Sequence, residues 1–193
     1  MRFSRAELAA FRGGTLPDLV EPGVRLLFVG VNPGLRTVAV QAHFGRRGNR
    51  FYPALFRAGI VDRLIDASAG FVPADRAHLS ARGIGITSLV AAATARADEL
   101  SVQELTSGAR ALAGRVARVG PRVVAVLGIT AYRIAFERPK ALVGRQPYDL
   151  GGAQLWVVPN PSGLNAHATV AGLADAYGEV AVAAGIELFD NSP

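Results

Sequence analysis

An apolar stretch from Leu26 to Val29 stops at Gly30-Val31-Asn32-Pro33-Gly34, and this junction restricts the possible folds more than any other feature of the chain. A short continuous apolar run followed by turn formers is the pattern of a strand buried on both faces of a parallel sheet. In such sheets ligands bind in the crevice beyond the carboxyl ends of the strands, and here that edge carries one short polar side chain, Asn32. Pro33 fixes its own φ and drives the residue before it away from helical geometry, so the Asn32 carboxamide is held in a set direction. Asn32 is therefore the first candidate site residue.

Short apolar runs recur at Gly83 to Thr87, Arg122 to Leu127 and Gln154 to Val158. Helices are predicted between them. Ser4-Arg5-Ala6-Glu7 and Ser101-Val102-Gln103-Glu104 read as capping boxes, and the second is followed by Leu105, Ala109, Leu112, Val116 and Val119 at helical spacing. Gly120-Pro121 closes that helix. Further helices are expected over Asn49 to Ala58, Pro73 to Ala81 and Ile129 to Phe136, with a last one carrying Val170, Leu173, Tyr177, Val180 and Ala184 on one face. Leu35 to Gly48 shows neither periodicity and is expected to be a long loop over the site. Asp190 to Pro193 are expected to fray. Alternating strands and helices imply an α/β fold over residues 1–193, a single-domain three-layer sandwich. Its central, mostly parallel four-stranded sheet has helices on both faces and right-handed crossovers.

The 193 residues, half of them hydrophobic, suit one domain with a full core. No stretch approaches the roughly 18 apolar residues of a membrane span, and the N-terminus lacks a signal-peptide pattern, so a cytoplasmic protein with no membrane partner is expected. Without cysteine there can be no disulfide, iron–sulfur cluster or thiolate zinc site, and the three histidines have no ligand spacing. No metal and no cofactor are expected. The net charge of +6 and the pI near 10.7 fit a polyanionic partner, although such charge can also serve solubility alone. All basic residues but Lys140 are arginine, which biased codon use would also produce. Arg36, Arg46, Arg47 and Arg50 nevertheless crowd the segment after Asn32, with no acid between Glu21 and Asp62.

All strands of a parallel sheet end on one side. The turn after the last strand, Pro159-Asn160-Pro161-Ser162-Gly163-Leu164, can therefore meet the first turn across a single cleft. Gly30-Val31-Asn32-Pro33-Gly34, then Asn49-Arg50-Phe51-Tyr52, then Asn160-Pro161-Ser162-Gly163-Leu164 resemble the mismatch-specific uracil/thymine DNA glycosylases. The likeness is to the bacterial G/U branch of the uracil-DNA glycosylase superfamily, and it extends from about Arg25 to Ala184. It implies a uracil-DNA glycosylase-like fold and a monomeric, monofunctional enzyme acting on double-stranded DNA. Such an enzyme hydrolyses the N-glycosidic bond of uracil, and of other damaged pyrimidines, by base flipping, favours G·U mismatches and uses no cofactor.

By the same resemblance each candidate residue acquires a role. Asn32 matches the asparagine that holds the attacking water; an amide is no base at neutral pH, so catalysis would rest on positioning and leaving-group stabilisation. Phe44 falls where the family stacks an aromatic on the extruded base, although its spacing also suits a core residue. Backbone amides beside Val31 and Phe44 would read the uracil edge, and neighbouring His43 is expected in solvent. Ser88 stands where relatives place a longer polar residue. Asn160 stands where related uracil-DNA glycosylases carry a histidine acting on the base oxygen. Ser162, Gly163, Leu164 and Asn165 match the loop that enters the DNA stack, with Leu164 as the wedge, although Asn165 and Ala166 depart from the small polar and basic residues that often follow it. Arg46, Arg47, Arg50 and His167 are candidate phosphate contacts. The alternatives are solvated charge for the arginines and the start of the last helix for His167.

A second class, a non-catalytic nucleic-acid or nucleotide-binding module on the same sheet, would also explain the charge and the glycines. A nucleophilic hydrolase is disfavoured: there is no G-x-S-x-G elbow, and Ser162 lies between Pro161 and Gly163 with no triad evident.

Overall fold

The computed structural model describes residues 3–163 and 168–191. Its centre is a sheet of β1 (Leu26–Gly30), β2 (Ile84–Ser88), β3 (Val123–Leu127), β4 (Gly144–Leu150) and β5 (Ala153–Val158), in the order β2-β1-β3-β5-β4. The first four of that order run parallel. The sheet thus has five strands where four were expected. The additional one, β4, pairs antiparallel with β5 at the edge, through a hairpin closed by Gly151 and Gly152, both at positive φ. Its sequence, GRQPYDL, has no apolar run because only one of its sides is packed, and Pro147 is tolerated at an edge.

Side chains alternate across the sheet and create two cores. Leu26, Phe28, Ile84, Ile86, Val123 and Ala125 face α3 (Phe51–Arg57), α4 (Pro73–Ala81) and α7 (Val170–Ala183) through Leu55, Leu79 and Tyr177. Leu27, Val29, Val124, Val126, Leu155 and Val157 face α5 (Val102–Val119) and α6 (Ile129–Ala135). Both predicted capping boxes form, at Ser4 before α1 (Arg5–Ala9) and at Ser101 before α5.

Two segments differ from the sequence expectation. Leu35 to Gly48 is not all loop, since α2 (Leu35–Val40) opens it, burying Thr37 and Val38 and ending at Gln41 in the left-handed region. Six residues are too few for a helical period to stand out. Of Asp190 to Pro193, expected to fray, Asn191 is anchored, its Nδ2 donating to the carbonyls of Phe56 and Val61 at 2.7 and 2.8 Å, while Ser192 and Pro193 lie outside the described residues. Among the described residues no helix is long and apolar enough to cross a membrane.

The chain leaves β1 toward the helices of one face and leaves β3 into α6 on the other. The crevice between these strand ends is therefore a topological switch point.

Candidate active site at the strand ends

Asn32 lies two residues beyond β1, half-buried, at this crevice. Its Nδ2 donates to the carbonyls of Pro33 and Ala92 at 3.2 and 3.1 Å and to Thr94 Oγ1 at 2.8 Å. Two of those partners are carbonyls that can only accept, which fixes the amide orientation: nitrogen toward the loop after β2, oxygen away from it. Oδ1 accepts no hydrogen bond from any described residue. Thr94 is itself held, since its hydroxyl donates to Arg96 O at 2.7 Å and its N–H to Pro33 O at 3.3 Å. Nothing near Asn32 in sequence marks Ala92 and Thr94, which lie 60 and 62 residues away. The available signal was topological, because parallel neighbours end at one edge and the loop after β2 must run beside the turn after β1.

Phe44 occupies the left-handed region at φ 56°, a strained conformation for an aromatic residue. The strain is held in place on both sides. Tyr52 Oη donates to His43 O at 2.8 Å, and His43 Nε2, facing Pro17 O at 3.0 Å, must carry its proton there. His43 is accordingly buried, 5% exposed, and not in solvent as expected; burial lowers its pKa below the ordinary histidine value. The Phe44 ring stacks on Phe51 at 4.1 Å and lies against the end of β1, where a Cβ on Gly30 would sit 3.6 Å from both the ring and Ser88 Oγ. Phe44 is thus both a partly buried core neighbour and a wall of the crevice. Its own N–H donates to no described residue.

Asn160 lies two residues beyond β5. By register Val29 is level with Val126 and Leu127 with Val158, so the turns that carry Asn32 and Asn160 leave the same edge of the sheet, with β3 between them. Asn160 Nδ2 donates to Leu127 O at 3.4 Å, and Oδ1 accepts from Ser162 N at 2.8 Å. The side chain lies over Gly128, whose φ of 118° and lack of a Cβ make room for it.

Ser88 ends β2, buried, its carbonyl receiving the Arg115 guanidinium at 2.7 Å. Val31 is buried, and its carbonyl accepts from Val90 N at 3.0 Å. Arg46 and Arg47 are exposed on the loop beside Phe44. Arg50 differs: its guanidinium turns inward and donates to the carbonyls of Ser162 and Ala168. Ser162 and Gly163 are present at the turn, while Leu164, Asn165 and His167 lie outside the described residues. Among the described residues no group of three or more histidine, cysteine or acidic side chains could hold a metal ion. Two surface clefts lie elsewhere, one of about 250 Å³ beside Glu21 and Arg76 and one of about 300 Å³ beside Arg138 and Tyr148. Neither includes a strand-end residue, so the crevice is identified by its polar groups and strained backbone, with Phe44 closed onto Phe51.

These features define an α/β protein with a candidate ligand site at the carboxyl edge of its sheet. Residues 17–179 match the uracil DNA glycosylase superfamily, and the chain belongs to it. Among solved structures it is similar to a candidate uracil DNA glycosylase from Methanosarcina acetivorans, determined by solution NMR. The TM-score is 0.62 at 16% identity, over 90% of this chain and 98% of that one, a likeness of fold.

Proposed function

We propose that this chain removes uracil from duplex DNA by hydrolysing its N-glycosidic bond, leaving an abasic site. It acts as a monomer and favours G·U mismatches, because a mispaired base costs less to extrude. The departing base is anionic and the sugar oxocarbenium-like, so the reaction needs an oriented water and donors around the base.

Asn32 supplies the orientation. With Nδ2 held by three acceptors, Oδ1 is the group left to accept a hydrogen bond from water, and this observation carries the proposal. Phe44 stacks on the extruded base, while its N–H and the amides beside Val31 read the uracil edge. Asn160 and Ser88 add uncharged polar groups, which stabilise a leaving anion less than an imidazolium would. Ser162, Gly163, Leu164 and Asn165 enter the base stack with Leu164 as the wedge. Arg46, Arg47 and His167 contact phosphate. Substrates beyond uracil are limited by the space between Val31, Phe44 and Ser88.

Single-turnover base release, read as strand breaks after alkali, from duplexes carrying uracil, thymine, hypoxanthine or ethenocytosine opposite guanine, and uracil opposite adenine, tests the assignment. Asn32→Ala should lower uracil release by at least about 10²-fold while leaving DNA affinity nearly unchanged, because it removes a water-holding group and no phosphate contact. Near-normal release by that variant would refute the role of Asn32. Binding by the unaltered protein with no strand break even after alkali treatment would instead indicate a non-catalytic module.

A further inference from the structure

We propose that Arg50 is a positioning residue that ties two stems, Pro161-Ser162 after β5 and Ala168 before α7, to the start of α3. What these stems do for the reaction rests on the glycosylase reading above. Arg50 N–H donates to Pro161 O at 3.1 Å, and the guanidinium donates to Ser162 O on one stem and Ala168 O on the other. One planar fork thus joins two carbonyls that are six residues apart, a task suited to arginine and not to the compact ammonium of lysine.

Neighbouring contacts seat the same stem. A Cβ on Gly163 would lie 3.0 Å from Gly48 O, so the two backbones meet where only glycine fits comfortably, and Asn160 Oδ1 caps Ser162 N. On its other side this segment supports the aromatic wall. Asn49 Oδ1 accepts from Phe51 N at 2.9 Å, and Phe51 stacks on Phe44. Asn49-Arg50-Phe51 therefore touches both halves of the crevice, and Arg50 fixes the loop stems relative to the wall on which a base would stack.

This placement matters most when a paired base must be driven out of the helix, and least when the base is already unpaired. A phosphate contact behaves otherwise. Its loss weakens binding on every substrate and lowers the salt dependence, and lysine can replace it.

The test uses the full chain with Arg50→Lys and with Arg50→Gln, the second also serving should the first fail to fold. Hydrogen exchange of the Ser162 amide, held by Asn160 Oδ1, and of the Gly172 and Leu173 amides, held by Thr169, should accelerate about tenfold, with β1 and α5 unchanged. Single-turnover uracil release should fall about tenfold on a U·A duplex and less than about twofold on single-stranded DNA. Unchanged exchange overturns the clamp. So does equal loss on both substrates, or an Arg50→Lys protein that behaves as the parent while Arg50→Gln is altered only in its salt dependence. If the unaltered protein releases uracil from no substrate, the glycosylase reading fails, and the exchange measurement still decides whether Arg50 holds the stems.

Discussion

Replacing Asn32 by aspartate separates a site built to hold a water from one that merely lacks a base. A carboxylate is the stronger proton acceptor, so chemistry considered apart from its surroundings would expect Asn32→Asp to raise activity. The surroundings oppose it. Nδ2 faces two carbonyl oxygens and a hydroxyl at 3.2, 3.1 and 2.8 Å, and turning the side chain over cannot help, because both ends of a carboxylate are oxygen. The bond to Pro33 O is local and weak, so the loss is dominated by the two to Ala92 and Thr94, about 1 kcal/mol each. Setting a half-desolvated charge against two carbonyls adds about 1–2 kcal/mol. A loss of about 3–4 kcal/mol is expected at pH 8, tolerable within a usual stability of about 5–15 kcal/mol. The same repulsion raises the carboxyl's pKa in the folded state, since the protonated form can donate to one of those acceptors. The folded variant then binds more protons than the unfolded one over that range, so its deficit shrinks as pH falls toward 5. Urea denaturation of both proteins at pH 5 and pH 8, with uracil release measured alongside, checks this. An Asn32→Asp protein as stable as the parent at pH 8 would refute the orientation assigned to the amide.

Two further predictions concern stability. Gly108 and Gly114 both lie within α5, where alanine in isolation would favour the helix by about 1 kcal/mol. A Cβ on buried Gly108 would meet Leu89 O at 2.4 Å, whereas exposed Gly114 has nothing nearer than Arg118 Nη1 at 3.8 Å. Gly108→Ala should therefore destabilise by about 1–2 kcal/mol and Gly114→Ala stabilise by about 0.5–1 kcal/mol in urea titrations; equal shifts would mean that α5 does not press on the loop after β2. His43 is held neutral by burial, and His78 more weakly so against Asp62, hence the unfolded chain binds more protons below the ordinary histidine pKa of about 6.5. Stability should be fully present above that value and fall as pH drops through it toward the lowered folded values. Guanidinium titrations should show a shallower fall in His43→Gln; an unaltered slope would place His43 in solvent.

The parallel strands and most helices were legible because burial on two faces leaves a continuous apolar run, and because a capping box or a Gly-Pro stop is local chemistry. β4 was not, because an edge strand packed on one side has no such run; its one trace was the Gly151-Gly152 pair, which fits a two-residue hairpin. α2 escaped because six residues show too little of a helical period, and His43 because the carbonyl that satisfies it belongs to Pro17, twenty-six residues earlier.

The candidate site divides along the same line. That Asn32 and Asn160 share one edge followed from the parallel direction of the strands alone. What orients each amide did not, because Thr94, Ala92 and Leu127 reach them through the sheet order β2-β1-β3-β5, which no local pattern encodes. Arg50 shows the difference most sharply. In sequence it belongs with Arg46 and Arg47 in one acid-free basic run, and nothing distinguishes the three charges. In the fold, Arg46 and Arg47 remain exposed, whereas Arg50 begins α3 beside the stem at Pro161, where two main-chain carbonyls converge on its guanidinium. The same kind of charge thus meets solvent at Arg46 and Arg47 and part-buried main-chain carbonyls at Arg50, each of which would lose a charged donor if the guanidinium turned outward.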